Sequence, residues 1–169
     1  MKSLHLPVAL TAVYAFTLLA GLPLPKDILV VSVALLPALV WLSLTDLQRH
    51  VIPDPATLAV AIVGLLRAIL KEDPSFLCDI LGAVGALAIL GAAGEIFWRY
   101  KGKEALGLGD VKLIAASVLL VGLGGMWVFM LLACTGGIAA SLLSSDKSKS
   151  GIPFGPFLAY ALFLTVLFS

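Results

Sequence analysis

Apolar stretches of about twenty residues follow one another along this 169-residue chain, with most charged side chains confined between them. A bilayer core about 30 Å thick is crossed by roughly twenty helical residues. Such runs lie near 4–24, 27–45, 55–71, 77–97, 110–122, 125–143 and 152–168. Hydrophobic residues make up 61% of the chain and charged residues 12%, against about 45–50% and 25% in soluble domains. A water-soluble core of this size cannot hide so much apolar surface, which excludes a soluble enzyme, a nucleic-acid binder and a disordered chain. The runs are apolar all round and do not alternate as barrel strands do, so each must satisfy its backbone as a helix. The expected fold is all-α: a single polytopic transmembrane bundle over 1–169. It has seven spans, or six if the pair around Gly122-Leu123-Gly124-Gly125 is one broken helix.

Orientation follows from the cations. With seven spans, one face carries Lys2, Arg49, Arg99, Lys101, Lys103, Lys112, Lys147 and Lys149, and the other carries Lys26, Arg67 and Lys71. Eight against three puts the N-terminus and the even-numbered loops in the cytoplasm of a multi-pass inner (plasma) membrane protein. The net charge of +1 gives no polyanion-binding signature. Cys78 and Cys134 sit in apolar runs without a CxxC pairing. They read as buried small hydrophobes and not as a disulfide or zinc site. The first run follows Lys2 but has no clear small-x-small cleavage site, and it reads as a retained anchor.

Ionisable groups at the edge of hydrocarbon are costly and mark function. The second span ends Leu44-Thr45-Asp46 and the fifth opens Gly107-Leu108-Gly109-Asp110. An even-numbered span finishes where an odd-numbered one begins. Asp46 and Asp110, 64 positions apart, therefore share one depth on the cytoplasmic side. Two carboxyls that meet share a proton, because like charges a few ångströms apart do not both ionise easily. One then takes a proton from water and the other protonates the peptide oxygen or leaving amine, with no metal or cofactor. Gly107 and Gly109 clear side chains from beside Asp110 and permit unusual backbone angles. Read alone, the same segment is equally a glycine loop that starts a helix with Asp110 as its N-cap. The helix dipoles assign the shared proton to Asp46, at a C-terminus, and leave Asp110, at an N-terminus, as the base.

Asp-Leu-Gln-Arg-His-Val-Ile-Pro-Asp at 46–54, Gly-Leu-Gly-Asp-Val-Lys-Leu at 107–113 and Ile-Pro-Phe-Gly-Pro-Phe-Leu-Ala at 152–159 occur in that order. Together they resemble the type IV prepilin and preflagellin peptidases, membrane aspartic proteases of the GxGD type. The resemblance implies that Asp46 and Asp110 are the catalytic pair. It also implies substrates that are prepilin-like precursors (pilin, pseudopilin or archaellin), with a short basic leader cut before a hydrophobic helix. Many bacterial members carry an N-terminal region with paired CxxC motifs and also methylate the new N-terminus. The resemblance is to a short form without that region, so methyltransferase activity is not expected.

Asp54, between Pro53 and Pro55, reads as the N-cap of the third span. Lys112 either steadies the anionic pair or marks the membrane boundary by snorkelling. Arg49, His50, Arg99, Lys101 and Lys103 read as anchors that meet lipid phosphates, and a lone His50 is no metal site. Glu95 should pair with Arg99 at i,i+4. Asp27 and Asp79 open helices on the outer side, where the dipole favours anions. Ala133, Gly137 and Ser141 suit close helix packing, and Pro153, Gly155 and Pro156 shape the entry to the last span. Two rivals stay open. A small ion- or proton-coupled transporter would place acidic groups through the bilayer, and none lies near mid-span. A non-catalytic membrane subunit of a secretion system would carry inert aspartates.

Overall fold

The structure is a computed structural model that describes residues 5–21, 23–72, 74–102, 106–143 and 153–169. Lys2, Lys103, Lys147, Lys149 and Ile152, all used in the sequence argument, lie outside these residues. The described residues form six helices and no strand: α1 (His5–Ala20), α2 (Lys26–Arg49), α3 (Asp54–Leu70), α4 (Phe76–Lys101), α5 (Leu108–Leu143) and α6 (Gly155–Leu167). Three of them, α2, α4 and α5, are long and apolar enough to cross a membrane.

At 1.5 Å per residue an unbroken α5 of 36 residues would reach about 54 Å, far beyond a bilayer core. Gly122 breaks it with φ 71° and ψ 169°, a conformation reserved for glycine. The two arms then run in opposite directions. In the first, Gly109 packs on Ile52 just before α3, and Leu119 and Leu120 lie on Gly64 further along α3. In the second, Gly125 lies by Thr165 near the end of α6, whereas Gly137 lies by Phe154 just before its start. The single broken element thus makes two passes, which correspond to the runs at 110–122 and 125–143.

Both free helix ends at the break are capped by side chains. The Arg67 guanidinium donates to the Leu120 carbonyl at 3.2 Å, and Asp79 Oδ1 accepts the Leu123 N–H at 2.9 Å. A buried helix end without such partners would leave orphan backbone groups. Asp79 opens α4 as expected, and it also caps a different helix.

The most enclosed helix is α6, whose Leu158, Leu162 and Phe163 are fully buried. It packs against α2 and α5, and Tyr14 of α1 meets the Tyr160 and Phe163 rings edge-on at 5.6 and 5.1 Å. Small residues allow the second arm of α5 to approach α6. Ala133 is fully buried, and a β-carbon on Gly137 would lie 3.0 Å from the Phe154 ring. The cysteines correct the sequence reading: Cys78 and Cys134 are both exposed. In lipid the outward face of a helix is as apolar as its core, so an apolar context does not imply an inward side chain.

Candidate active site

The last turns of α2 carry Asp46 inward, where it is buried to 5% exposure. The helix stops at His50, which adopts the left-handed conformation (φ 54°, ψ 37°) and donates its N–H to the Asp46 carbonyl at 2.8 Å. Val51, Ile52 and Pro53 then lead directly into α3. Across from them, α5 begins at Leu108, so Asp110 lies in its first turn. Between these segments is a pocket of about 460 Å³, lined by Asp46, His50, Asp54, Gly107, Asp110 and Lys112 among others. Asp46 and Asp110 thus face one cavity, together with Asp54, Gly107, Gly109 and Lys112.

The two glycines play different parts. A β-carbon on Gly107 would lie 3.3 Å from Asp110 Oδ2, so its absence leaves room beside that carboxyl. On Gly109 it would lie 2.9 Å from the Ile52 β-carbon, so this glycine permits α5 to seat against the α2–α3 link.

Asp54 corrects the sequence reading. It is the first residue of α3, Pro53 holds the N-cap position, and no side-chain capping bond forms. With proline on either side, its carboxylate turns outward and accepts from Lys112 Nζ at 2.8 Å. Lys112 is therefore engaged by Asp54 and not by the Asp46–Asp110 pair. Elsewhere Glu95 and Arg99 form their i,i+4 bridge at 2.8 Å, and Asp27 meets Lys71 at 2.7 Å. Among the described residues no group of three or more His, Cys, Asp or Glu side chains is placed to hold a metal ion.

Two contributors escaped the sequence argument. The first is Gly155, the opening residue of α6, whose N–H donates to Asp46 Oδ2 at 2.8 Å. A β-carbon there would lie 2.7 Å from that oxygen and 3.0 Å from the Asp46 β-carbon. Its place between Phe154 and Pro156 marked a helix entry and gave no sign of which carboxyl that entry meets. The second is His50. It lines the same pocket, and its N–H closes the end of α2 on the Asp46 carbonyl; its place four residues after Asp46 was the available signal.

The profile of the type IV leader peptidase family matches residues 33–142. The chain is 33% identical over 136 residues to the prepilin leader peptidase/N-methyltransferase of Aeromonas hydrophila, covering 76% of this chain and 46% of that protein. It is 31% identical to the protein of that name from Pectobacterium carotovorum subsp. carotovorum, covering 90% and 56%. It is 36% identical over 138 residues to leader peptidase HopD of Escherichia coli, covering 74% of this chain and 84% of that one. The chain spans about half the length of the N-methyltransferase-type relatives it matches. No solved structure matches. With the family profile running from α2 through most of α5, across both aspartates, the chain belongs to the type IV leader peptidase family.

Proposed function

We propose that this chain is a membrane aspartic endopeptidase that removes the short basic leader of prepilin-like precursors at the cytoplasmic face, with Asp46 and Asp110 activating water. The observation that carries this reading is the single pocket shared by two carboxyls from distant parts of the chain. In the reaction, one carboxylate takes a proton from water as the water oxygen bonds to the peptide carbonyl carbon. The neutral partner gives its proton to the carbonyl oxygen. Collapse of the tetrahedral intermediate breaks the C–N bond, and the amine leaves with a proton drawn from the pair.

The structure adds a field that the dipole argument for the proton omitted. Asp46 ends α2, but it also meets the start of α6 through the Gly155 N–H. A helix N-terminus and a donated N–H both favour a carboxylate. Asp110, in the first turn of α5, has a helix N-terminus of its own, and at Asp46 the end of α2 opposes the start of α6. The dipoles therefore no longer assign the proton to Asp46 alone, and the pair shares it. Because the two carboxyls titrate as a unit, placing the proton on either one is a statement about one microstate. Carboxyl infrared spectra of Asp46→Asn and Asp110→Asn locate the resting proton; either location sets the roles of acid and base and leaves the peptidase reading intact.

The test of the function is cleavage of a purified prepilin-like precursor. Wild type should cut it, Asp46→Ala and Asp110→Ala should each abolish cutting while remaining folded, and a chelator should change nothing. Undiminished cleavage by either variant would overturn the reading.

A further inference from the structure

Although α3 and α4 are consecutive in the chain, they make almost no contact with each other, and each packs on α5. The space left between them over the first arm of α5 is a groove of about 570 Å³. Its walls include Leu58 and Ala61 from α3 and Val84 and Leu87 from α4, and Ala115 and Leu119 lie on its floor. Leu58 and Val84 are 60% and 59% exposed, so the groove is open on its outer side.

Resting on the function proposed above, we propose that this groove seats the apolar helix that follows the scissile bond of the substrate. Continuity with the pocket argues for that occupant. Asp54 and Lys112 border both cavities, so the groove begins where the polar pocket ends. From Lys112 to Leu119 it descends along α5 by about 10 Å, or roughly two helical turns. A substrate with its peptide bond at the two carboxyls and an apolar helix directly after it would pass from the one cavity into the other. The volume holds several side chains and not a whole helix. The substrate helix would therefore lie along the opening with one face inserted, and the alanines let its backbone come close, as small residues do between membrane helices. One wall atom breaks the apolar lining: the Thr57 hydroxyl, in a residue 8% exposed, has no hydrogen-bond partner among the described residues. The Asp54–Lys112 bridge pairs the two charges that border the mouth of the groove.

The experiment compares two substrates: a precursor with leader and apolar helix, and a truncation that ends a few residues past the scissile bond. Ala61→Phe, from a partly buried wall position, and Val84→Trp, from an open one, fill the groove. Each should lower kcat/KM for the full precursor by about tenfold or more while leaving the truncated substrate within about twofold. Benzoylphenylalanine in place of Leu87 should crosslink to the precursor's helix, and in place of Val30 on α2 it should not. An unchanged kcat/KM for the full precursor, or an equal fold loss on both substrates, in the filled variants would overturn the assignment, as would a Leu87 crosslink only to lipid or to a second copy of this chain. If wild type cut neither substrate, the peptidase reading would fail first and this assignment with it.

Discussion

Replacing Gly155 by alanine adds one methyl group at the point where α6 meets Asp46. The new carbon would lie 2.7 Å from Oδ2, 2.8 Å from Cγ and 3.0 Å from Cβ of Asp46. Ordinary contact begins near 3.4 Å, so about 0.7 Å must open, and the Asp46 β-carbon cannot retreat without moving the α2 backbone. The 2.8 Å bond from the Gly155 N–H is lost in the process. Overpacking of this kind costs about 1–3 kcal/mol, and a hydrogen bond to a charged group contributes about 1.5–3 kcal/mol. Displacing a reacting carboxyl by near 1 Å reduces turnover by about 10²-fold. Gly155→Ala should therefore cut kcat by about two orders of magnitude, with KM nearly unchanged, since the groove is untouched. Gly85→Ala is the matched control: nothing lies within 4 Å of its β-carbon, and in the middle of α4 alanine should add about 0.5–1 kcal/mol of stability. The assays are precursor cleavage and thermal unfolding in detergent. Wild-type turnover in a folded Gly155→Ala protein would refute the claim that α6 positions Asp46.

Three further outcomes follow from the geometry. Cleavage should have a bell-shaped pH profile, falling at low pH when both carboxyls are protonated and no base remains, and at high pH when both are ionised and no acid remains; a flat profile in steady-state rates would remove the shared proton from the mechanism. Asp79→Ala should lower stability by about 1–3 kcal/mol by orphaning the Leu123 N–H at the α5 break, with Asp79→Asn milder because an acceptor remains, as thermal unfolding would report. A double-mutant cycle on Asp54 and Lys112 should give a coupling of no more than about 1 kcal/mol, because both partners are largely exposed; a larger value would give the bridge a structural role not assigned here.

The bridge also illustrates how far local reasoning reaches. Proline before and after Asp54 is a sound capping signal, yet Lys112, 58 positions away, takes the carboxylate instead. Cys78 and Cys134 show a related failure, since apolar surroundings along a lipid-facing helix carry no information about which way a side chain points.

The helices themselves were legible because hydrocarbon demands long apolar runs with internally satisfied backbones, and α2, α3 and α4 begin and end within a few residues of the runs at 27–45, 55–71 and 77–97. Counting passes was also enough to bring Asp46 and Asp110 to one end of the bundle. The break at Gly122 was also marked by its glycines, but contacts through space were out of reach: its two caps and the seat of α6 on Asp46, 109 positions from Gly155. Hydropathy sets the depth of a residue in the bilayer but not the helix it faces, and that choice was left to side-chain packing among helices of nearly equal apolarity.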